Sequence, residues 1–229
     1  MNFSERFSPW FVCLAVASSS TALGSVFTFD DLPNGPTPSV QTVNLNEAVN
    51  PPVSGNATYG GIVWDSSFEL VNSSYKIADD SPHFGLAHSG DVFVTTATDH
   101  VMITTSEVLL GAWFGRNVYY GFGNGTDQIT VNAMSGATVL SSITYDLPLT
   151  MGGSQPEPLT HLDTSSFLEL TGITGYRIDR HEVDPEFGGN HWVGDDFEFV
   201  PVPETGSMTL AAAALLGGYA LVRRTRKSR

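Results

Sequence analysis

Apolar and polar positions alternate in short runs along most of this chain. Val26-Phe27-Thr28-Phe29, Gly61-Ile62-Val63-Trp64 and Phe68-Glu69-Leu70-Val71 open the series. Val92-Phe93-Val94-Thr95-Thr96, Val101-Met102-Ile103-Thr104 and the stretch from Val108 to Phe114 continue it. The second half adds Val118 to Phe122, Gln128 to Ala133, Ala137 to Tyr145, Gly175 to Val183 and Trp192 to Phe199. These runs are rich in β-branched and aromatic residues and are separated by Gly, Pro, Asn, Asp and Ser, the signature of strands joined by turns. No stretch before residue 205 holds a helical apolar period over three turns, a single turn near Thr164 to Leu170 aside. About ten evenly spaced strands predict an all-β fold, a single jelly-roll-type β-sandwich. Asn34 to Asn56 and Met151 to Pro158 read as loops too short to be domain linkers.

The two ends break this pattern. Met1 to Arg6 carries one Arg, an apolar stretch follows from Trp10 to Ala17, and Ala22-Leu23-Gly24 offers a small-x-small cleavage site. Residues 1–24 therefore read as a signal peptide and residues 25–200 as the sandwich. Residues 201–229 read as a three-part sorting signal. Val202-Pro203-Glu204-Thr205-Gly206 is a short polar motif, Met208 to Val222 is an apolar run, and five basic residues crowd the last seven positions. The 15 apolar residues span roughly 22 Å as a helix. That is short for a permanent membrane span, which takes about 20 residues. Positive charge just beyond it favours retention on the cytoplasmic side, which leaves the body outside.

This tail resembles the PEP-CTERM class of sorting signals, in the variant that reads Val-Pro-Asp-Ser/Thr-Gly. The matching residues are Val202, Pro203, Glu204, Thr205 and Gly206. The resemblance implies an exosortase, a multi-pass membrane transpeptidase of Gram-negative bacteria, as the partner that processes the motif. The same five residues also resemble the Leu-Pro-x-Thr-Gly signal of Gram-positive sortases, with Val202 in the Leu position. The short distance from Val200 to the motif leaves no wall-spanning linker and favours the exosortase. The body has a resemblance of its own. Phe29-Asp30-Asp31-Leu32-Pro33 and Tyr59-Gly60-Gly61-Ile62-Val63-Trp64 open it, and Trp192-Val193-Gly194-Asp195-Asp196-Phe197 closes it. This bracket looks like secreted bacterial domains that carry such tails, with a sandwich similar to galactose-binding-like jelly rolls. It implies a fold and no activity.

Charge narrows the partners. From Ser25 to Glu204 there are 23 acidic residues and 4 basic ones, a balance of 4 − 23 = −19 against −14 for the whole chain. Such a surface repels nucleic acid and anionic membranes and suits divalent cations. The single cysteine, Cys13, lies in the signal segment, so the exported body is expected to have neither disulfides nor thiol chemistry.

Two acidic doublets, Asp30-Asp31 and Asp195-Asp196, are the candidate metal site. First and last strands often lie side by side in a sandwich, and neighbours in a strand point to opposite faces. One Asp of each pair would face a shared site, and hard oxygen ligands suit Ca²⁺. Without a cation, the two doublets on adjacent strands would repel; the plainer reading makes each a solvated strand end. Asp179-Arg180-His181-Glu182-Val183-Asp184-Pro185-Glu186 reads as a solvated edge strand and loop, with an acid/base or metal site as the lesser alternative. No His-Glu-x-x-His or Gly-x-Ser-x-Gly pattern occurs, and Gly121-Phe122-Gly123-Asn124-Gly125 reads as a hairpin turn. Tyr59, Trp64, Trp113, Tyr119, Tyr120 and Trp192 are candidates for stacking on sugar rings. Tyr119-Tyr120 stands out, because adjacent strand residues cannot both face the core. The expected function is that of a non-enzymatic cell-surface or matrix sandwich, structural or associated with exopolysaccharide. A Ca²⁺-dependent carbohydrate-binding module is the alternative; a sortase-anchored wall protein and a glycan hydrolase rank below it.

Overall fold

The computed structural model describes residues 24–39, 42–74, 76–77, 81–82, 86–96, 98–117, 125–151, 156–181 and 191–202. In chain order the strands begin with β1 (Ser25–Phe27), β2 (Thr42–Asn44), β3 (Ala57–Tyr59), β4 (Ile62–Trp64) and β5 (Glu69–Asn72). A two-residue ladder, β6 (Lys76–Ile77) with β7 (Ser81–Pro82), follows. Then come β8 (Val92–Thr95), β9 (His100–Thr104), β10 (Val108–Arg116), β11 (Gln128–Ser135) and β12 (Thr138–Asp146). The last three are β13 (Thr160–Asp163), β14 (Gly175–Arg180) and β15 (Trp192–Val200).

They form two antiparallel sheets. One runs β13-β10-β15-β8-β5-β2, with β1 also paired to β15; the other runs β12-β11-β14-β9-β4-β3. The fold is thus an all-β sandwich, as the alternation predicts. A 3₁₀ turn, Ser165–Glu169, falls where the single helical turn is expected. The stretch from Asn34 to Asn56 is not all loop: it holds β2 and a one-turn helix, α1 (Leu45–Ala48). The strand β13 is likewise absent from the sequence reading, because Thr-His-Leu-Asp has only one strongly apolar position.

The core between the sheets is aromatic. Trp64 sits at its centre, fully buried, with Phe29, Phe68 and Phe197 at 5.1, 5.6 and 5.5 Å, all edge to face. Edge-to-face packing brings the positive ring edge against a negative face. Tyr176 ties the layers by hydrogen bonds as well: its hydroxyl accepts from Leu109 N–H and donates to Glu107 C=O. Burial pushes its pKa up to about 12.

The seven-stranded sheet is also apolar on its outer face. Val71, Phe93, Leu159 and Val193 form a second buried cluster there, with Ala87 and Trp113 packed against it. A sheet buried on both faces needs a cover on its outer side. The segment of residues 86–91 supplies part of it.

Candidate functional site

The cover is held by the acidic residues. On β15 the alternation is broken at Asp196, which has φ 48°. The pairing shows the same thing: Gly111 and Trp113 on β10 are two apart, while their partners Glu198 and Asp195 are three apart. One extra residue is therefore bulged out on β15. The bulge turns both carboxylates to the outer side, where strict alternation would send one inward. Asp195 accepts from His88 N–H (2.8 Å) and Ser89 N–H (3.0 Å) through Oδ2. Its Oδ1 takes the N–H of Asp196 at 2.8 Å. Asp196 accepts from Ser89 Oγ at 2.6 Å and meets His88 Nδ1 at 2.6 Å.

Asp30 grips the far end of the same segment. Its Oδ1 accepts from Asp91 N–H (2.8 Å) and Val92 N–H (3.0 Å). Phe29, fully buried with φ 63°, makes the left-handed turn that aims it. Bulky residues rarely adopt that conformation, which is stored at sites where the surroundings dictate it. Gly90 is required at the contact, since it has φ +58° and a Cβ there would lie 2.0 Å from Asp30 Oδ2. Asp31 points elsewhere and accepts from the Tyr59 hydroxyl. Burial, reinforced by Asp31, holds the Tyr59 hydroxyl above its usual pKa.

The two doublets therefore converge on one segment, but not as a single ligand set. Between them lie N–H and O–H donors, which meet the negative charge that a cation was expected to balance. Among the described residues no group of three or more His, Cys, Asp or Glu side chains is arranged to hold a metal. Asp195 is fully buried, and this burial pushes its pKa up to about 7, with a further push from Asp196; the three N–H donors pull the other way.

Beside the latch lies an aromatic patch. The His88 ring stacks on Trp113 at 3.5 Å between centroids and 11° between planes. His161, opposite Trp113 across β13 and β10, meets it edge-on at 5.4 Å. The His161 ring lies over Gly111, where a Cβ would approach Nε2 to 2.5 Å. Glu198 completes the patch, with Oε1 3.9 Å from His161 Nε2. The side chains of His88, His161 and Glu198 are 36, 36 and 39% exposed. A rigid indole with exposed imidazoles and a carboxylate around it offers apolar contact and directional hydrogen bonds together.

Of the six aromatic candidates, Trp64 and Trp192 are core, and Tyr59 is half-buried against Asp31. Trp113 alone of the described candidates lies in this patch. Tyr119 and Tyr120 lie outside the described residues, as do Pro203, Glu204, Thr205 and Gly206; Val202 is exposed. The charged run at β14 is structural in its described part: Arg177 pairs with Asp179, Arg180 with Asp99 and His181 with Asp127. His161 on β13, Glu198 on β15 and His88 ahead of β8 carry no sequence mark of a site beyond a polar side chain.

No family model and no curated protein sequence matches the chain. Some solved structures are similar to it at low identity. A DUF4465 family protein from Bacteroides ovatus is 11% identical with a TM-score of 0.46, over 78% of this chain and 98% of that one. The CBM51-2 and INT domains from Clostridium perfringens ZmpB, in complex with GlcNAc, match at 8% identity and a TM-score of 0.35, over 72% of this chain and 32% of that one. The Stig cyclase Fisc from Fischerella sp. TAU matches at 13% identity and a TM-score of 0.36, over 82% of this chain and 93% of that one. No role passes to this chain from these likenesses.

Proposed function

We propose that this chain is an exported surface protein that binds polysaccharide on the outer face of its seven-stranded sheet. One observation carries the reading: Trp113, partly open on that face, is clamped by His88 and bordered by His161 and Glu198. An indole already held in place loses little entropy when a ligand packs on it. Sugar rings have C–H faces that pack on aromatic rings and hydroxyls that bond to imidazole nitrogens and carboxylates. Asp195 is buried and both carboxylates of its doublet are engaged by the 86–91 segment, which supports binding over paired-carboxylate hydrolysis.

The test is a pull-down of the exported protein on polysaccharide from its own source. Trp113→Ala should weaken retention by at least about tenfold, the scale of a central aromatic contact. Wild-type retention in Ca²⁺ and in EDTA addresses the four aspartates in the same assay. Dependence on Ca²⁺ assigns them a cation, and equal retention leaves the loop donors as their counter-groups. A Trp113→Ala protein that binds like wild type overturns the site.

The sorting role rests on Val202 to Gly206 and the basic end. In this reading an exosortase takes the motif while the apolar run holds the chain at the membrane. The intact mass of surface material should lack the segment beyond the motif. Retention of Arg229 on that material sinks processing.

A further inference from the structure

The long strand β12 is an open edge of the six-stranded sheet, and among the described residues it pairs with β11 alone. Leu147 N–H bonds to Asp127 C=O at 2.6 Å, on the β11 side. Backbone groups alternate sides along an antiparallel strand, so those of Ser142, Thr144 and Asp146 face away from β11. The register slips at Leu140, where β12 advances two residues for one of β11. Beyond that slip, Ser141 to Asp146 runs without interruption.

Natural sheets blunt their edges with Lys, Pro or inward charges. From Gln128 to Asp146 neither Lys nor Pro occurs, and the slip at Leu140 is the one irregularity of the edge. From Gln128 to Asp146, both strands of the hairpin, the sole charge is Asp146, in a chain with 24 acidic residues. The edge also has an apolar rim. Ile143 and Tyr145 are half-buried against the core, and Val139 and Leu140 are 42 and 37% exposed.

We propose that β12 pairs antiparallel with β12 of a second copy, about a two-fold axis at Ile143, joining the two six-stranded sheets into one. The segment is self-complementary in this register. Ser142 and Thr144 exchange hydrogen bonds with their counterparts, and the two Ile143 side chains meet. Tyr145 lies opposite Ser141 and Asp146 opposite Leu140, so no like charges face each other. A second copy suits the site because a neutral edge on a strongly acidic body meets least repulsion against an identical neutral edge. The remaining carboxylates still repel at longer range, so association should strengthen with salt as screening shortens that reach.

The test uses the exported protein, whose body has no cysteine. Wild type should sediment as a dimer, more completely at higher ionic strength. Ile143 would form a non-hydrogen-bonded pair with its counterpart, at about 4.5 Å between Cα atoms. That is within the reach of a disulfide, so Ile143→Cys should oxidise to a covalent dimer. Val26→Cys, at an exposed position of β1, serves as the control and should stay largely monomeric. Thr144→Lys and Ser142→Lys, at exposed positions of β12, should each sediment as a folded monomer, with a Tm that no longer depends on protein concentration. A wild type that is monomeric at every salt concentration overturns the proposal. Ile143→Cys cross-linking no faster than Val26→Cys also overturns it.

Discussion

Truncating Trp64 to alanine should cost about 3–5 kcal/mol of stability, the usual range for a fully buried tryptophan. The position leaves little room for relief. Trp64 is 0% exposed, and its ring contacts reach Phe27 on β1, Phe29 just after it, Phe68 before β5, and Phe197 and Phe199 on β15. Its Nε1–H donates to Tyr59 C=O at 3.2 Å, so truncation also leaves that carbonyl without its partner. β4 belongs to the six-stranded sheet and β15 to the other. The substitution therefore opens a void at the contact between layers, where neither sheet can collapse without breaking its own ladder. A loss of this size is a large share of the roughly 5–15 kcal/mol that holds a domain folded. It corresponds to a fall in Tm of roughly 6–20 °C for a domain of this length. Denaturant unfolding of Trp64→Ala and Trp64→Phe beside wild type measures it, with Phe expected to recover part of the loss. A cost below about 1 kcal/mol would remove Trp64 from the centre of this core.

Raising the pH through neutrality should destabilise the wild type relative to Asp195→Asn. Asp195 has its pKa raised to about 7 by burial, against about 3.9 for an exposed Asp. The folded state thus binds the proton more tightly than the unfolded state. The stability this contributes is fully present below about pH 4 and is lost as pH rises to about 7, beyond which the curve is flat. The span is worth up to about 4 kcal/mol at 1.36 kcal/mol per pKa unit, with the opposing pull of the three N–H donors already contained in the raised value. Asn at this position has no proton to lose. The difference in unfolding free energy between the two proteins, read at pH 5 and pH 8, should shift in favour of the variant at the higher pH. A difference that does not change with pH would mean that the donors hold Asp195 ionised throughout. Among the described residues, Asp196 is the charged neighbour that raises it, and the His88 ring of the covering segment sits against Asp196.

The strands were legible because most of them alternate. Val101-Met102-Ile103-Thr104 buries Val101 and Ile103 and leaves Met102 and Thr104 more open, as a half-buried strand must. β8 was found as a strand, but its outer-face burial could not be inferred. Val92, Phe93, Val94 and Thr95 are all buried, so alternation says nothing about sides. The acidic doublets were found as a pair, and their meeting near the first and last strands follows from β1 lying on β15. Their partner was not legible. His88 and Ser89 reach Asp195 across 107 and 106 positions of sequence, and only the order of strands in the sheet brings them together. The left-handed residues Phe29 and Asp196 carry no side-chain cue of the kind a glycine gives. Alternation therefore sent one Asp of the second doublet the wrong way.

β15 has a mechanical consequence. It lies inside the seven-stranded sheet, with β10 along one side over its whole length and β1 and β8 in succession along the other. Tension applied beyond Val200 acts along this strand, while its interstrand bonds run perpendicular to it. These bonds must shear together instead of unzipping in turn. A ligand held at Glu198 and Trp113 would pull against the same strand a few residues away. The load path between them would then be short, and most of the domain would carry no tension at all.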